Sequence, residues 1–407
     1  MTTSSEYLGV AASLARSLAN AAVWHEQRCN WIGVAPRDPA RVGGLALVEA
    51  LGPELYDGTA GAALFLAEAA AALDDAGLRK VARGALRHAL HHARGAGGEG
   101  LHSGVPGIAY AAARAAVALG CEEPLCGARE LLGGWRRLRA AATTWDLIGG
   151  CAGTLCALVA LSDVLEDASL VELGVTVGDE LLAAAERTDA GWLWPNPSLP
   201  SEHGLCGLAH GAAGIGHALV ELWAVTGEDR FRDAGAAAFD YERSWFAGRG
   251  GTWPDLRGIE RRAGRDVPAP VSNTWCQGAP GIALSRLRAA ALLRSKALRE
   301  DADAALAITR RHVAELSSLA PDDFSLCHGA AGAADVLLYR DRDSPLARRI
   351  GDVGIARHHL TSRSFPCGVP HGETQGLLIG LAGIGLFYLR LADPSIDTIL
   401  MVHRKSA

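Results

Sequence analysis

Two stretches of the sequence set metal-competent side chains at equivalent places. In SLCHGAAG, Cys327 and His328 stand side by side just ahead of a run of small residues, and in NTWCQGAPGIAL a second thiol, Cys276, takes the place of Cys327. Two thiolates and one imidazole suit Zn²⁺, and with three of its four tetrahedral positions filled by protein the open one implies catalysis rather than a structural role. The plainer reading makes both cysteines small buried fillers, as free cysteine often is. Their shared position, with a histidine beside one, favours the metal. His210, in GLAHGAAG, stands where His328 stands. Alone it reads as a hydrogen-bonded core histidine; aimed at the same point as a metal, it is a proton donor. Asp146, four residues before Gly150, would orient His210 or stabilise its charge, and reads equally well as a helix N-cap.

These residues recur because the chain repeats. YDGTAGAALFLAEA, LHSGVPGIAYAAARA, LIGGCAGTLCALVA, LAHGAAGIGHALVE, WCQGAPGIALSRLR, LCHGAAGAADVLLY and LIGLAGIGLFYLRL each carry GxxG followed by an apolar run. Glycine at a loop-to-helix junction opens backbone angles closed to other residues and lets neighbouring backbones approach. The runs after GxxG are apolar on nearly every side, as in helices buried all round, whereas stretches such as GLRKVARGALRHALHHARG are amphipathic and read as outer helices. The expected fold is therefore all-α, an (α/α) toroid of seven inner and seven outer helices. Its GxxG loops would fall at one end, where the residues just ahead of each glycine pair converge.

Composition narrows the rest. The chain has 407 residues, 49% of them hydrophobic, and is rich in alanine and glycine but poor in aromatics, which suits close helix packing. A net charge of -6 without a basic, aromatic-interleaved patch argues against nucleic acid as a partner. Glu6 and Arg16 spoil any signal-peptide pattern, and no apolar run reaches the roughly 20 residues of a membrane span, so a cytoplasmic protein is expected. Nine cysteines without regular spacing point to free thiols or metal ligands rather than disulfides. His88, His91 and His92 fall within one helical turn, but Arg79, Arg83 and Arg87 line the same segment, and a solvated outer face is the better reading. Cys121 and Cys126, like Cys151 and Cys156, are read as structural.

Taken together, GLAHGAAGIG, WCQGAPGIA, LCHGAAG and CGVPHGETQGLLIGLAGIGLFYLRLADP resemble the blocks of the lanthionine synthetase C-like proteins, the lanthipeptide cyclases. The resemblance implies a helical extension over 1–44 and a toroidal cyclase domain over 45–407. It implies one zinc on Cys276, Cys327 and His328, with His210 and Asp146 beside it. The implied reaction adds a peptide cysteine across dehydroalanine or dehydrobutyrine to close a (methyl)lanthionine thioether. The last block looks closest to the cyclase domains of class II synthetases. The stretch before the domain is too short for a dehydratase, so a separate dehydratase or kinase-type enzyme is expected to supply the dehydrated precursor peptide. Two positions depart from the family pattern: Gln277, where Tyr or His is usual, and Ser272, where one branch carries Arg. An amide at Gln277 would hydrogen-bond an enolate but not protonate it. Trp192, Trp194 and Trp253, in the loops before repeats four and five, would grip an extended peptide or else plug the packing. The alternatives are a relative that adds glutathione, a non-catalytic scaffold of a peptide-modifying complex, and a toroidal glycosidase using Asp57 and Asp146, which would leave the cysteines unexplained.

Overall fold

The computed structural model describes residues 2–35, 47–94, 98–199, 201, 203–248, 251–257, 271–319, 321–370 and 372–404. In chain order the elements are α1 (Ser4–Ala21), β1 (Val23–His25), β2 (Arg28–Asn30), β3 (Ile32–Val34), β4 (Val48–Ala50), α2 (Thr59–Leu73), α3 (Ala76–His92), α4 (Val105–Leu119) and α5 (Glu123–Leu138). There follow α6 (Cys151–Val164), α7 (Ser169–Ala184), β5 (Glu186–Thr188), β6 (Gly191–Leu193), α8 (Ala212–Thr226), α9 (Asp229–Gly248), α10 (Ala279–Leu293), α11 (Lys296–Ser318), α12 (Ala330–Arg340), α13 (Pro345–Gly354) and α14 (Leu381–Ala392). The strands form three short antiparallel pairs, β1 with β2, β3 with β4 and β5 with β6.

Every GxxG opens a helix. Gly58, Gly150, Gly211, Gly278, Gly329 and Gly380 are the N-caps of α2, α6, α8, α10, α12 and α14, and α4 starts directly after Gly104. Backbone freedom explains only one of them: Gly278 has φ +109°, while the other five N-caps are extended. Space explains the rest. A Cβ at Gly150 would lie 2.5 Å from the Asp146 nitrogen, and one at Gly153 or Gly214 would run into the carbonyl oxygen of Leu147 or Leu208. Each pair lets the incoming loop fold flat onto the first turn of its helix, which holds the residues ahead of the glycines close to the helix axis.

Contacts divide the chain into two compact units. The first comprises residues 1–97, 107–139 and 311–399. Within it the buried helices α12, α14 and α2 pack side by side, with α13 against α12 and α3 against α2. The outer partner of α14 is α1, from the opposite end of the sequence. Tyr7 ties α1 to both α14 and α13: buried at 1% exposure, its ring centre lies 6.3 Å from that of Tyr388 on α14, and its hydroxyl donates to Asp352 Oδ1 on α13 at 2.7 Å. Tyr7→Ala is expected to cost about 3 to 5 kcal/mol, the range for truncating a buried aromatic, and Tyr7→Phe only about 1 kcal/mol. Urea unfolding of both variants checks this.

The second unit comprises residues 98–106, 140–310 and 400–407. Here α6, α8 and α10 are the inner helices, with α7 on α6 and α9 on α8. In α6 every residue from Cys151 to Ser162 is buried, as its unbroken apolar pattern requires. A fully buried ion pair joins α9 to α10, Arg286 to Glu242 at 2.7 Å, and Glu242 also accepts the Gly207 amide at 2.7 Å. The peptide-gripping role expected of Trp194 and Trp253 is not what the structure shows. Both are buried, with the Trp194 indole donating to the Leu181 carbonyl at 2.8 Å and that of Trp253 to the Glu242 carbonyl at 3.2 Å, so they plug the packing. Trp192 is half-buried beneath the Arg187 guanidinium, 4.4 Å from the ring centre. Most of the loop before repeat five, residues 258–270, lies outside the described residues.

Candidate functional site

Within each unit residues two or three places ahead of the first glycines are tied together through the main chain. In the second unit the Ala209 amide donates to the Cys276 carbonyl at 3.1 Å, Leu147 to Ala209 at 3.0 Å and His102 to Ile148 at 3.0 Å. In the first, Cys327 donates to Leu378 and Leu378 to Tyr56, both at 2.7 Å. The convergence inferred from the repeat thus holds inside each unit.

His210 and Asp146 are brought together. The imidazole Nδ1 lies 2.7 Å from Asp146 Oδ2, although 64 residues separate them. Asp146 is not a helix cap: Gly150 caps α6, and Asp146 Oδ1 instead accepts the Gly149 amide at 2.9 Å, inside the loop. Burial alone would raise the Asp146 carboxyl, but the His210 hydrogen bond and charge, the Gly149 amide and the Asn196 side chain together hold it below its ordinary value. An ionised Asp146 makes Nδ1 the protonated nitrogen and leaves Nε2 for chemistry. His210 is 25% exposed, enough for a ligand to reach it, whereas Asp146 is 10% exposed and serves from behind.

Cys276 is half-buried in the loop closed by the Asn273–Gly278 bridge, with Thr274 Oγ1 3.3 Å from its sulfur. Gln277 turns the other way. It is 1% exposed, and its Nε2 donates to the Pro254 carbonyl at 3.5 Å. The amide expected to meet an enolate is therefore packed beneath the loop, and the departure at this position concerns loop packing. Ser272 Oγ lies 3.4 Å from Thr274 Oγ1, one step further from the sulfur.

In the first unit Cys327 is buried, and the Tyr56 hydroxyl donates to its sulfur at 3.0 Å. His328 Nδ1 pairs with Asp323 Oδ2, and Asp323 Oδ1 accepts the Ser325 amide at 2.7 Å. Burial opposes ionisation of Asp323, but the His328 hydrogen bond and charge outweigh it and hold the carboxyl low. Asp323 does for His328 what Asp146 does for His210: it occupies Nδ1 and frees Nε2. Neither Asp323 nor a role for Tyr56 was expected from sequence; the only signals were a carboxylate five residues before the histidine and a phenol at the Cys327 position of repeat one.

Cys276 belongs to the second unit, and Cys327 and His328 to the first. Among the described residues no group of three or more His, Cys, Asp or Glu side chains is placed to hold a metal ion. The donor set nevertheless fits zinc in its chemistry. Each sulfur has a hydroxyl hydrogen-bonded to it, and the imidazole is oriented by a carboxylate, the outer support that metal-binding histidines use. The histidine cluster on α3 has another role: His88 sits between Asn30 at 3.2 Å and Thr59 at 3.1 Å, and burial, with His92 and Arg28 nearby, pushes it down to about 4.

His102 is fully buried against the Trp275 ring, 5.3 Å between centroids, and burial pushes it down to about 3. A histidine with a depressed folded pKa contributes stability that is complete above its unfolded value of about 6.5 and is lost as pH falls from there toward the folded value. Stability should therefore decline from pH 6.5 downward, with His88 contributing in the same direction. In His102→Gln the slope between pH 6 and pH 4.5 should shrink by about 1.4 kcal/mol per pH unit, one proton's worth. Denaturant melts across that window measure it.

An all-α repeat chain with thiols and carboxylate-backed imidazoles at the heads of glycine-capped inner helices is a defined kind of protein. The chain belongs to the lanthionine synthetase C-like family, whose profile, described as "Lanthionine synthetase C-like protein", matches residues 49–403. Among solved structures it is similar to one titled "Nisin cyclase", at 20% identity and a TM-score of 0.58, over 84% of this chain and 89% of that one. That likeness shows the fold, so the expected all-α toroid class is borne out. A glycoside hydrolase family 76 mannosidase from Bacteroides thetaiotaomicron also aligns, at 12% identity and a TM-score of 0.40 over 95% of this chain and 98% of that one, too slight a likeness to argue from. No curated protein matches the sequence.

Proposed function

We propose that the chain is a zinc-dependent lanthipeptide cyclase, which adds cysteine thiols of a dehydrated precursor peptide to its dehydroalanine or dehydrobutyrine residues. The observation that carries this reading is His210, partly exposed and backed by the Asp146 carboxylate at Nδ1, on a loop hydrogen-bonded directly to that of Cys276. Family membership and the nisin cyclase likeness support it. Cys276, Cys327 and His328 would hold the zinc, which when bound converts a peptide thiol, otherwise mostly protonated near pKa 8.5, into thiolate.

The protein's own groups do the rest. The new S–C bond forms at the β-carbon, the alkene π pair moves onto the α-carbon as an enolate, and that carbon must regain the proton the thiol gave up. His210 Nε2 takes a proton and returns it to the α-carbon, and Asp146 stabilises the imidazolium in between. Tyr56 and Thr274 hydroxyls hold the protein sulfurs in place.

The dehydrated peptide would come from a separate dehydratase or kinase-type partner. A cytoplasmic setting accords with nine free cysteines, and among the described residues no helix is long and apolar enough to cross a membrane. The test is incubation with a dehydrated Ser/Thr/Cys-rich peptide, counting rings as thiols protected from alkylation. Ring closure is the expected result; addition of glutathione in place of the peptide thiol would point to a thiol-adding relative, and no addition at all to a scaffold.

A further inference from the structure

The loop that follows β6 brings an unassigned side chain to the Asp146–His210 pair. Asn196, half-buried in the sequence WPNPS, donates from Nδ2 to Asp146 Oδ2 at 3.0 Å, the same oxygen that receives His210 Nδ1. Its own orientation is not free to reverse: Oδ1 accepts the Ser198 amide at 3.0 Å and the Leu199 amide at 3.2 Å, so the nitrogen must be the atom facing Asp146. The loop that carries it is stiff. Pro195 and Pro197 restrict the backbone on either side, and the preceding Trp194 is anchored by its indole to Leu181.

We propose that Asn196 is a positioning residue of the proton-transfer pair, acting through Asp146. Asp146 then has three donors, Gly149 on Oδ1 and Asn196 and His210 on Oδ2, and its carboxylate plane is fixed. With only Gly149 and His210, the carboxylate could turn about its Cβ–Cγ bond and the imidazole with it. Asn196 closes that freedom, so Nε2 points at one place and the Nδ1–H tautomer is held against the Nε2–H form that a free imidazole prefers. Removing the donor should loosen aim without removing the acid, which is a loss of rate rather than of binding.

This inference rests on the cyclase reading, and its test separates the two. Asn196→Asp keeps the acceptor for the Ser198 and Leu199 amides, so the turn survives, but it replaces the donor with a second carboxylate; Asn196→Ala removes both. In full-length protein labelled with ¹⁵N-histidine, the His210 ring should show the Nδ1–H pattern in the parent and a mixture of tautomers in both variants. With dehydrated peptide, kcat should fall about 10- to 100-fold, the cost of a small misplacement, while KM stays within about twofold. An unchanged His210 ring signature in Asn196→Asp overturns the proposal, as does an altered signature with undiminished kcat. If the parent closes no ring, the cyclase reading falls, and the ring signature alone still decides whether Asn196 positions the pair.

Discussion

Cys276→Ala is expected to abolish ring closure and zinc binding together while leaving the fold intact. Two protein ligands hold zinc poorly, and the remaining pair, Cys327 and His328, would lack the second thiolate that makes the site soft. The substitution is clean because the structural work at this position is done by the main chain: the carbonyl of residue 276 accepts the Ala209 amide whatever its side chain. The thiol itself meets the Thr274 hydroxyl at 3.3 Å, and that hydroxyl keeps a second hydrogen bond, to the Gln277 carbonyl at 3.0 Å, when the sulfur is removed. A metal that binds only the folded state adds stability in proportion to its saturation. Cys276→Ala should therefore melt with parent protein stripped by a chelator and below metal-loaded parent. Elemental analysis and parallel thermal melts decide it, and full zinc occupancy in the variant would remove Cys276 from the ligand set. His328→Ala should also lose zinc, but it takes from the half-buried Asp323 the imidazole that holds its charge and so carries a stability cost of its own.

Much of this was legible in the sequence for a local reason. GxxG is a short pattern with a steric meaning, and once its copies are aligned, Cys276, Cys327, His328 and His210 fall at matching positions without any knowledge of the fold. Asp146 was placed near His210 by the same alignment, though its rival reading as a cap needed coordinates to dismiss. What stayed hidden depends on contacts that no repeat encodes. The hydrogen bond that ties α1 to α13 joins residues 345 apart, Tyr7 and Asp352, and the sequence marks the first segment only as another helix. Asn196 sits in a loop after the α7–β5–β6 hairpin whose counterpart after α1 carries the same anchored tryptophan, Trp31, but Gly33 in place of the asparagine. Asp323 supports its histidine from a different offset than Asp146 does, so alignment passes over it. Trp194, Trp253 and Gln277 show a further limit: residue type states what a side chain can contact, not whether it turns toward ligand or core.

His210→Ala should separate the proton donor from the metal. The variant is expected to keep zinc, because His210 Nδ1 is committed to Asp146 and no proposed ligand is removed. It should form thioether roughly 10²- to 10⁴-fold more slowly, the usual range for losing a general acid. Asp146→Asn should follow it partway. The Asn oxygen can still accept from Gly149, but the carboxylate that stabilises a charged imidazole is gone, and the amide can donate to Nδ1 and so force the wrong tautomer. If the two residues act as one unit, the double variant should be no slower than His210→Ala alone, since groups working in series do not lose their contributions twice. Zinc content, single-turnover ring closure and a pH profile of each variant give the answer. Zinc loss in His210→Ala would make His210 a ligand, unchanged closure would remove it from the chemistry, and additive losses would show that Asp146 serves the reaction by a route other than this histidine.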